Sequence, residues 1–350
     1  MTSAALAAPH DTAGRRAGRV PSRPRVLDMP PLTTTVPREY VHRAALSEVF
    51  LTDWGYAGDD TWVVGAQWPR AHSFYGPAGG LHDPVLLVET IRQAGILLSH
   101  VAHGVPLENS IIWQDMRYRL APEALRTSAT PAEIELHVRD EDLVRRGARL
   151  AGARQRYRVL RDGAELATAT LDFSCHSPAV YRRLRGAYCD LEHAYARRLP
   201  PPEPLLPPLV ARDRTADVVL SPTGRPHLWQ LRVDTAHPVL FDHPVDHTPG
   251  MLLVEAARQA AQATAGPGFV LPVEMECAFE RYGELDAPCW VRATPRGHDV
   301  AGRFRVDIAV EQYDQPVFSA RIAARPAGRS AENSFSHSGR GSNGCPLPSN

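Results

Sequence analysis

The strongest constraint on the fold is a motif, Leu-Leu-Val-Glu-x-x-Arg-Gln-Ala, that occurs twice in the chain. It runs from Leu86 to Ala94 and again from Leu252 to Ala260. An Ala-His pair precedes each copy, 17 residues before Glu89 and 18 residues before Glu255. A repeat period of about 150 to 165 residues is too long for a solenoid and is typical of a duplicated domain. We therefore expect two copies of one fold.

Each copy of the motif is expected to lie on a long helix. Thr248 is a plausible N-terminal cap, Pro249 and Gly250 end the extended segment before it, and about sixteen residues without a helix breaker follow. The first copy predicts a helix from about Pro84 to Val101. The alanines of the second helix have small side chains, so a sheet could approach it closely.

The segments around both helices predict antiparallel strands, because they alternate in polarity or are rich in β-branched and aromatic residues. In the first half the predicted strands are 41–54, 62–68, 110–120 and 134–138, with a hairpin of 154–160 and 164–173 around Asp162-Gly163. In the second half they lie near 218 and at 228–233, 274–281, 290–294, 303–310 and 317–323. The predicted fold class is α+β, a double hotdog in which each half is a curled antiparallel sheet wrapped around a long central helix.

The domain boundaries follow from changes in composition. We expect a flexible tail at 1–38, a first hotdog domain with an extra C-terminal helix at 39–198, and a proline-rich linker at 199–214. A second hotdog domain at 215–326 and a flexible tail at 327–350 complete the chain.

The composition excludes several classes of function. The 39 basic residues balance the 39 acidic ones, so no global charge favours nucleic acid or an anionic membrane. All basic residues are arginine, which excludes a Schiff-base lysine and a Walker-type lysine. The five cysteines include no C-x-x-C pair, which favours reduced thiols, and no apolar run approaches the length of a membrane span. We expect a cytoplasmic protein.

Ionisable side chains share one face of each predicted helix. Glu255, Arg258 and Gln259 stand at i, i+3 and i+4 on a helix that is otherwise small and apolar. The first helix repeats this arrangement with Glu89, Arg92 and Gln93. The repetition favours a functional site, and it equally favours an intrahelical ion pair that both copies of the fold require.

The sequence from His243 to Gln259, His-Pro-x-Asp-His-x-Pro-Gly-Met-Leu-Leu-Val-Glu-Ala-Ala-Arg-Gln, resembles the A-factor biosynthesis (AfsA-like) family. The entry Val41-His42-Arg43 and the duplication belong to the same resemblance, which covers roughly residues 40 to 325. Its helix entry also resembles that of hotdog acyl-carrier-protein dehydratases, in which a helix Glu works with a loop His. Here His243 lies 12 residues before Glu255, and this spacing differs from the dehydratase loop.

The AfsA-like resemblance implies an enzyme, a γ-butyrolactone or butenolide hormone synthase, whose product controls antibiotic production. Such an acyltransferase moves a β-ketoacyl group from acyl carrier protein to the hydroxyl of dihydroxyacetone phosphate. No cofactor is implied beyond the phosphopantetheine arm of the carrier protein. The internal duplication could replace a homodimer, or the double unit could dimerise further.

Forming an ester from a thioester requires a base, hydrogen-bond donors for the oxyanion and a cation for the phosphate. We expect Glu255 to be the base with a raised pKa, and Arg258 to anchor the phosphate. Backbone amides near Gly250 and Met251 at the helix start are expected to hold the thioester oxygen. The further candidates are Glu89 and His243 as catalytic residues, and Arg92, Gln93, Gln259 and His247 as substrate-binding residues.

No metal site is expected, because Pro244 prevents a helix between His243 and His247 and the sequence shows no third ligand. Two alternative functions remain open. A hotdog dehydratase or thioesterase would have less need of the paired arginines. A non-catalytic regulator that binds an acyl or butyrolactone ligand would tolerate the loss of either Glu.

Overall fold

A computed structural model describes residues 34–327. The predicted flexible tails lie outside these residues, except for residues 34–38 and 327. None of the helices between residues 34 and 327 is long and apolar enough to cross a membrane.

The first half forms six strands around one long helix. Strands β1 and β2 precede helix α1, which spans Pro84–Val101 as predicted, and four strands follow it. The strands are β1 Leu51–Gly58, β2 Thr61–Trp68, β3 Ser110–Leu120, β4 Ala132–Arg146, β5 Arg149–Arg161 and β6 Ala164–His176. Asp162 and Gly163 join β5 to β6 with φ values of 52° and 76°, the left-handed pair that a tight hairpin turn requires. The predicted hairpin is confirmed.

The second half repeats this order after two short helices, α2 Pro178–Arg185 and α3 Leu191–Arg197. Two strands precede helix α4, which spans Gly250–Ala265, and four follow it. The strands are β7 Leu220–Pro222, β8 Leu228–Leu231, β9 Phe269–Phe279, β10 Trp290–His298, β11 Phe304–Gln312 and β12 Gln315–Ala327.

All twelve strands belong to one antiparallel sheet. Its order is β1-β2-β4-β5-β6-β3-β9-β12-β11-β10-β8-β7, so the two halves read as mirror images from the centre outwards. The halves join where β3 pairs with β9, from Asp115 opposite Ala278 to Arg119 opposite Glu274. This is the predicted double hotdog, with the two sheets fused into a continuous one.

The central helices are buried on most of their surface, because apolar side chains surround them on nearly every side. Helix α1 begins with a cap, since the Asp83 carboxylate accepts the N–H of Val85 at 2.9 Å. Helix α4 has Pro249 at the same position, and in the described part of the chain no side chain caps it. The prediction that Thr248 caps α4 is therefore wrong.

One predicted strand begins late. Residues 41–50 belong to no strand, and β1 starts at Leu51. The cause is a 3-10 turn, Arg38–Val41, which ends at His42 in the left-handed conformation with φ 51°. This turn directs the following residue, Arg43, inwards against α1.

Candidate active site

A buried cluster of charges occupies the centre of the first half. The Glu89 carboxylate accepts hydrogen bonds from Arg92 Nε and Nη2 at 2.9 Å each and from Gln93 Nε2 at 2.7 Å. Arg43 adds a bond from Nε at 3.1 Å and an ion contact from Nη2 at 2.7 Å. The three side chains predicted on one face of α1 do converge, and Arg43 completes the group.

The second half contains the same cluster. Glu255 accepts hydrogen bonds from Arg258 Nε at 2.8 Å and Nη2 at 2.7 Å and from Gln259 Nε2 at 2.6 Å. Arg212 takes the place of Arg43, with Nε at 2.9 Å and Nη2 at 2.8 Å from the carboxylate. The intrahelical pair left open by the sequence is present in both halves, each time with a second arginine from outside the helix.

Sequence reasoning missed Arg212, which lies in the predicted linker. It follows a 3-10 turn, Pro207–Val210, and Ala211 with φ 51°, as Arg43 follows Val41 and His42. The signal was present in the shared pattern Val-x-Arg at Val41 and Val210. The segment predicted as a linker therefore carries the counterpart of the Val-His-Arg entry.

The expectation of a raised pKa for Glu255 is wrong. Burial raises the pKa of this carboxyl, but the charges of Arg212 and Arg258 and their hydrogen bonds outweigh burial and hold the pKa at about 2. The same balance with Arg43 and Arg92 sets the pKa of Glu89 at about 2. Both carboxylates are ionised at neutral pH.

The two Ala-His pairs organise the loops before the helices. His72 Nδ1 accepts the N–H groups of Phe74 and Tyr75 at 3.1 and 3.0 Å. His237 makes the corresponding two bonds at 3.2 and 3.0 Å. Each loop then crosses to the other half, since Arg212 Nη1 donates to the carbonyl of Phe74 at 2.7 Å and Arg43 Nη1 donates to that of Val239 at 3.3 Å.

A cavity of about 610 Å³ lies between the halves, beside the first cluster. The loop into α4 and the start of α4 form one side, which includes Asp242, His243, Asp246, His247, Gly250 and Met251. The first half forms the other side with His42, Arg43, Arg92, Ile96, Ser110, Ile111, Ile112 and Trp113.

Five of the predicted site residues line this cavity, and five do not. The lining residues are Arg92, His243, His247, Gly250 and Met251. The residues that do not line the cavity are the buried partners of Arg92 in the first cluster and the predicted residues of the second cluster, namely Glu89, Gln93, Glu255, Arg258 and Gln259.

Side chains of the first half cover the second cluster, around Glu255, whereas the first cluster, around Glu89, is open to the cavity. Asp83 at the start of α1 lies 3.4 Å from Arg212 Nη1, and the Phe74 ring lies over the guanidinium at 4.3 Å from its carbon. The side chain of Arg258 is only 4% exposed, against 17% for Arg92. In the second half Pro249 occupies the position that corresponds to Asp83, and proline has no carboxylate. The first cluster therefore lacks this cover and faces the cavity.

One histidine of the cavity is held by a buried carboxylate. His247 Nδ1 lies 2.6 Å from Asp246 Oδ1, and the hydroxyl of Tyr181 donates to the same oxygen at 2.7 Å. Burial raises the pKa of Asp246, but hydrogen bonds from His247 and Tyr181 and the nearby charge of Arg185 lower it to about 2. An ionised carboxylate only accepts, so Nδ1 carries the hydrogen of this contact, and the lone pair of a neutral ring is then on Nε2.

Two more histidines line the cavity. His243 Nδ1 lies 3.2 Å from Asp242 Oδ2, a longer contact than that of His247, and its side chain is 43% exposed. His42 Nε2 lies 2.9 Å from His100 Nε2. Burial and the charges around it lower the pKa of His42 to about 3, so this ring is neutral.

The start of α4 faces the cavity with free backbone donors. The first N–H groups of a helix have no partner inside the helix, and no side chain of residues 34–327 caps this one. Gly250 and Met251 therefore present N–H groups at the positive end of the helix dipole. A Cβ on Gly250 would come within 3.2 Å of the Phe279 ring, which explains the glycine.

The paired hotdog units and the site between them define a double hotdog protein. Residues 27–177 and 193–327 match the A-factor biosynthesis hotdog domain, and the chain belongs to this AfsA family.

Two curated relatives share most of the chain and are both named 2-oxo-3-(phosphooxy)propyl 3-oxoalkanoate synthase. The protein of Streptomyces virginiae is 49% identical over 296 residues, which cover 85% of this chain and 99% of the relative. That of Streptomyces griseus is 39% identical over 286 residues, covering 81% and 94%. Among solved structures, the 12:0-ACP thioesterase from Umbellularia californica has a TM-score of 0.44 at 10% identity, covering 75% of this chain and 94% of that one.

Proposed function

We propose that this chain is an acyltransferase that condenses a β-ketoacyl thioester of acyl carrier protein with dihydroxyacetone phosphate. The product is the β-ketoacyl ester of dihydroxyacetone phosphate, the first step towards a γ-butyrolactone or butenolide signal. The names of the relatives support this assignment, since they specify a phosphooxypropyl unit and a 3-oxoalkanoate. The observation that carries it is the cavity, which combines a cation, a histidine on a carboxylate, free helix-start donors and an apolar wall.

Arg92 is the proposed phosphate anchor. Glu89 shares its single negative charge between Arg43 and Arg92, so the cluster keeps a net positive charge. Of the two arginines in this cluster, both of which line the cavity, Arg92 is the more exposed. A guanidinium binds phosphate oxygens through two parallel hydrogen bonds, and this lysine-free chain has no other cationic side chain type except histidine.

His247 is the proposed general base. Its Nε2 accepts the hydroxyl proton of dihydroxyacetone phosphate while the hydroxyl oxygen attacks the thioester carbonyl carbon. The carbon–sulfur bond then breaks, and the proton on Nε2 passes to the departing thiolate. Asp246 holds the ring in the required tautomer and stabilises its protonated state.

The start of α4 is the proposed oxyanion site. The N–H groups of Gly250 and Met251 carry the partial positive charge of the helix end, where the thioester oxygen gains negative charge. The apolar side chains Ile96, Ile111, Ile112, Trp113, Leu253 and Phe279 provide a surface for the acyl chain.

Glu89 and Glu255 are proposed to position arginines rather than to accept substrate protons. Each is fully buried, ionised and engaged by two guanidinium groups. A carboxylate with a pKa at about 2 is a weak base at neutral pH. This assignment also explains why the second half contains the same cluster although that cluster does not line the cavity.

The test combines the purified protein with a β-ketoacyl thioester of acyl carrier protein and dihydroxyacetone phosphate. Mass spectrometry should detect the phosphorylated ester or its dehydrated butenolide. His247→Gln should abolish most product, whereas Glu255→Gln should retain it at a temperature where the variant is folded.

The same experiment separates the alternatives. Hydrolysis of the thioester with no ester formed would replace the transferase with a thioesterase. Binding of the acyl group with no turnover would favour a regulator. Product from His247→Gln at the wild-type rate would remove this residue as the base and leave His243 as the next candidate.

A further inference from the structure

One hairpin, near the edge of the cavity, is longer in the first half than in the second. Strands β4 and β5 contain 15 and 13 residues, whereas their counterparts β10 and β11 contain 9 each. The second half closes its sheet around α4 without this extension. The hotdog core therefore does not require it, and its side chains need another explanation.

The tip of the β4–β5 hairpin is apolar and basic. Leu143 and Val144 are 42% and 56% exposed. Arg145, Arg146 and Arg149 are exposed beside them, and no carboxylate within residues 34–327 lies within 4 Å of their guanidinium groups. Exposed aliphatic side chains among arginines are typical of a protein interface. A hairpin tip that only contacts solvent does not require exposed aliphatic side chains.

Helix α2 extends this surface. It has no counterpart in the described part of the second half, and its outer face carries exposed Arg182, Arg183 and Leu184, the last 59% exposed. Its inner face carries Tyr181, whose hydroxyl holds Asp246 in the wall of the cavity. The same short helix therefore connects an exposed basic face with the proposed base.

The hairpin tip lies near the cavity. In the sheet, Ser110 of the cavity wall pairs with His176, the last residue of β6. On the other side of β6, Gly152 of β5 pairs with Ser174, two residues before His176, so the β4–β5 hairpin tip lies beside this end of β6. Helix α2 starts two residues after His176. We call the hairpin tip, residues 143–149, together with Arg182, Arg183 and Leu184 the basic patch.

We propose that the basic patch docks the acyl carrier protein that delivers the thioester to the cavity. The inference rests on the proposed function, because it identifies the surface used by the donor of that reaction. A carrier protein is acidic and holds its acyl group on a flexible arm. The exposed arginines of the patch match its charge, the exposed aliphatic side chains provide contact area, and the adjacent cavity receives the arm.

The test reverses charge at the hairpin tip, in the double variant Arg146→Glu/Arg149→Glu. Its matched control is Arg225→Glu/Arg292→Glu, which makes the same change at two exposed arginines of the second half that also have no carboxylate within 4 Å among the described residues. Each protein is assayed with a β-ketoacyl acyl carrier protein and with the β-ketoacyl thioester of free pantetheine. Arg182→Glu/Arg183→Glu serves as a second variant of the patch.

We expect the hairpin variant to lose about tenfold or more in kcat/KM with the carrier-protein donor, with a loss that shrinks as salt rises. Its kcat/KM with the pantetheine thioester should equal that of the wild type, and the control should match the wild type with both donors. Equal losses with both donors, or no loss with either, would overturn the proposal.

A binding measurement keeps this test separate from that of the reaction. Fluorescence anisotropy with a labelled holo acyl carrier protein reports docking even if no ester is ever formed. Binding that is weakened in the hairpin variant and intact in the control supports the patch. Unchanged binding of the carrier protein overturns the proposal. If the hairpin variant instead converts the protein from dimer to monomer, the patch is a self-association surface, which also overturns the proposal.

Discussion

Replacing Glu255 by glutamine removes the charge of one buried cluster and keeps its shape. The carboxylate accepts four hydrogen bonds and one further ion contact from Arg212, Arg258 and Gln259. In Glu255→Gln two guanidinium groups lose their shared counterion, and Asp83 is the one carboxylate among residues 34–327 that remains within 4 Å of Arg212. Neither arginine can recover the lost interaction from water, because both side chains are at most 7% exposed.

The magnitude follows from the pKa and from general experience with buried ion pairs. A pKa that falls from 4.5 to about 2 on folding corresponds to about 3 kcal/mol of stabilisation at neutral pH. Removing one member of a buried ion pair costs roughly 3–5 kcal/mol. We therefore expect Glu255→Gln to lower the free energy of unfolding by about 3–5 kcal/mol.

Glu89→Gln provides the matched comparison. It breaks an equivalent set of bonds, but Arg92 is 17% exposed and faces the cavity, so water can solvate part of the freed charge. We expect a loss of about 1–3 kcal/mol in the free energy of unfolding and a raised KM for dihydroxyacetone phosphate. Glu255→Gln should instead leave kcat and KM close to those of the wild type.

Urea denaturation followed by fluorescence measures the stability of both variants, and the ester-forming assay measures their activity below the unfolding temperature. The exposed Glu311→Gln is the control for the chemical change itself. A folded Glu255→Gln protein with kcat reduced a hundredfold would refute the positioning role and restore Glu255 as a base. Unchanged stability in Glu255→Gln would refute the expected stabilisation of the fold by the buried Glu255 charge.

Three further predictions concern the cavity and the acid stability. His247→Gln should lower kcat by about 10²- to 10⁴-fold with donor binding unchanged, and a change in KM alone would contradict its role as base. Arg92→Gln should raise KM for dihydroxyacetone phosphate by about 10- to 150-fold, while activity with unphosphorylated dihydroxyacetone stays constant; equal losses with both acceptors would exclude a phosphate contact. Because the pKa values of Glu89 and Glu255 are lowered to about 2, the stability they contribute is complete above their ordinary value of 4.5 and is lost as the pH falls towards 2. Urea midpoints between pH 5 and pH 3 should therefore fall less steeply in Glu255→Gln than in the wild type, and parallel slopes would contradict the assignment.

Local sequence signals were sufficient for the fold. The first predicted helix agrees with α1, Pro84–Val101, the second begins at Gly250 as expected, and the duplicated order of strands predicted the double hotdog. The family followed from a long motif present in the sequence. Where the extended chain is interrupted by a left-handed residue, as at His42, the content of β-branched and aromatic residues predicted a strand from residue 41, whereas β1 begins at Leu51.

The electrostatics of the site depended on contacts distant in sequence. Arg43 lies 46 residues from Glu89 and Arg212 lies 43 residues from Glu255, so the helix face alone showed one counterion where the fold supplies two. For this reason the expected rise in the pKa of Glu255 became a fall. The roles of the individual site residues remain predictions.

Because the two halves of the fused sheet belong to one chain, their sequences can differ from each other. In a homodimer one gene encodes both subunits, so every change at one helix start appears at its symmetry mate. Here Asp83 closes one cluster and Pro249 leaves the other open, a combination that two identical subunits cannot encode. The duplicated protein is therefore expected to saturate at one acceptor molecule per chain, with the covered copy retained as scaffold.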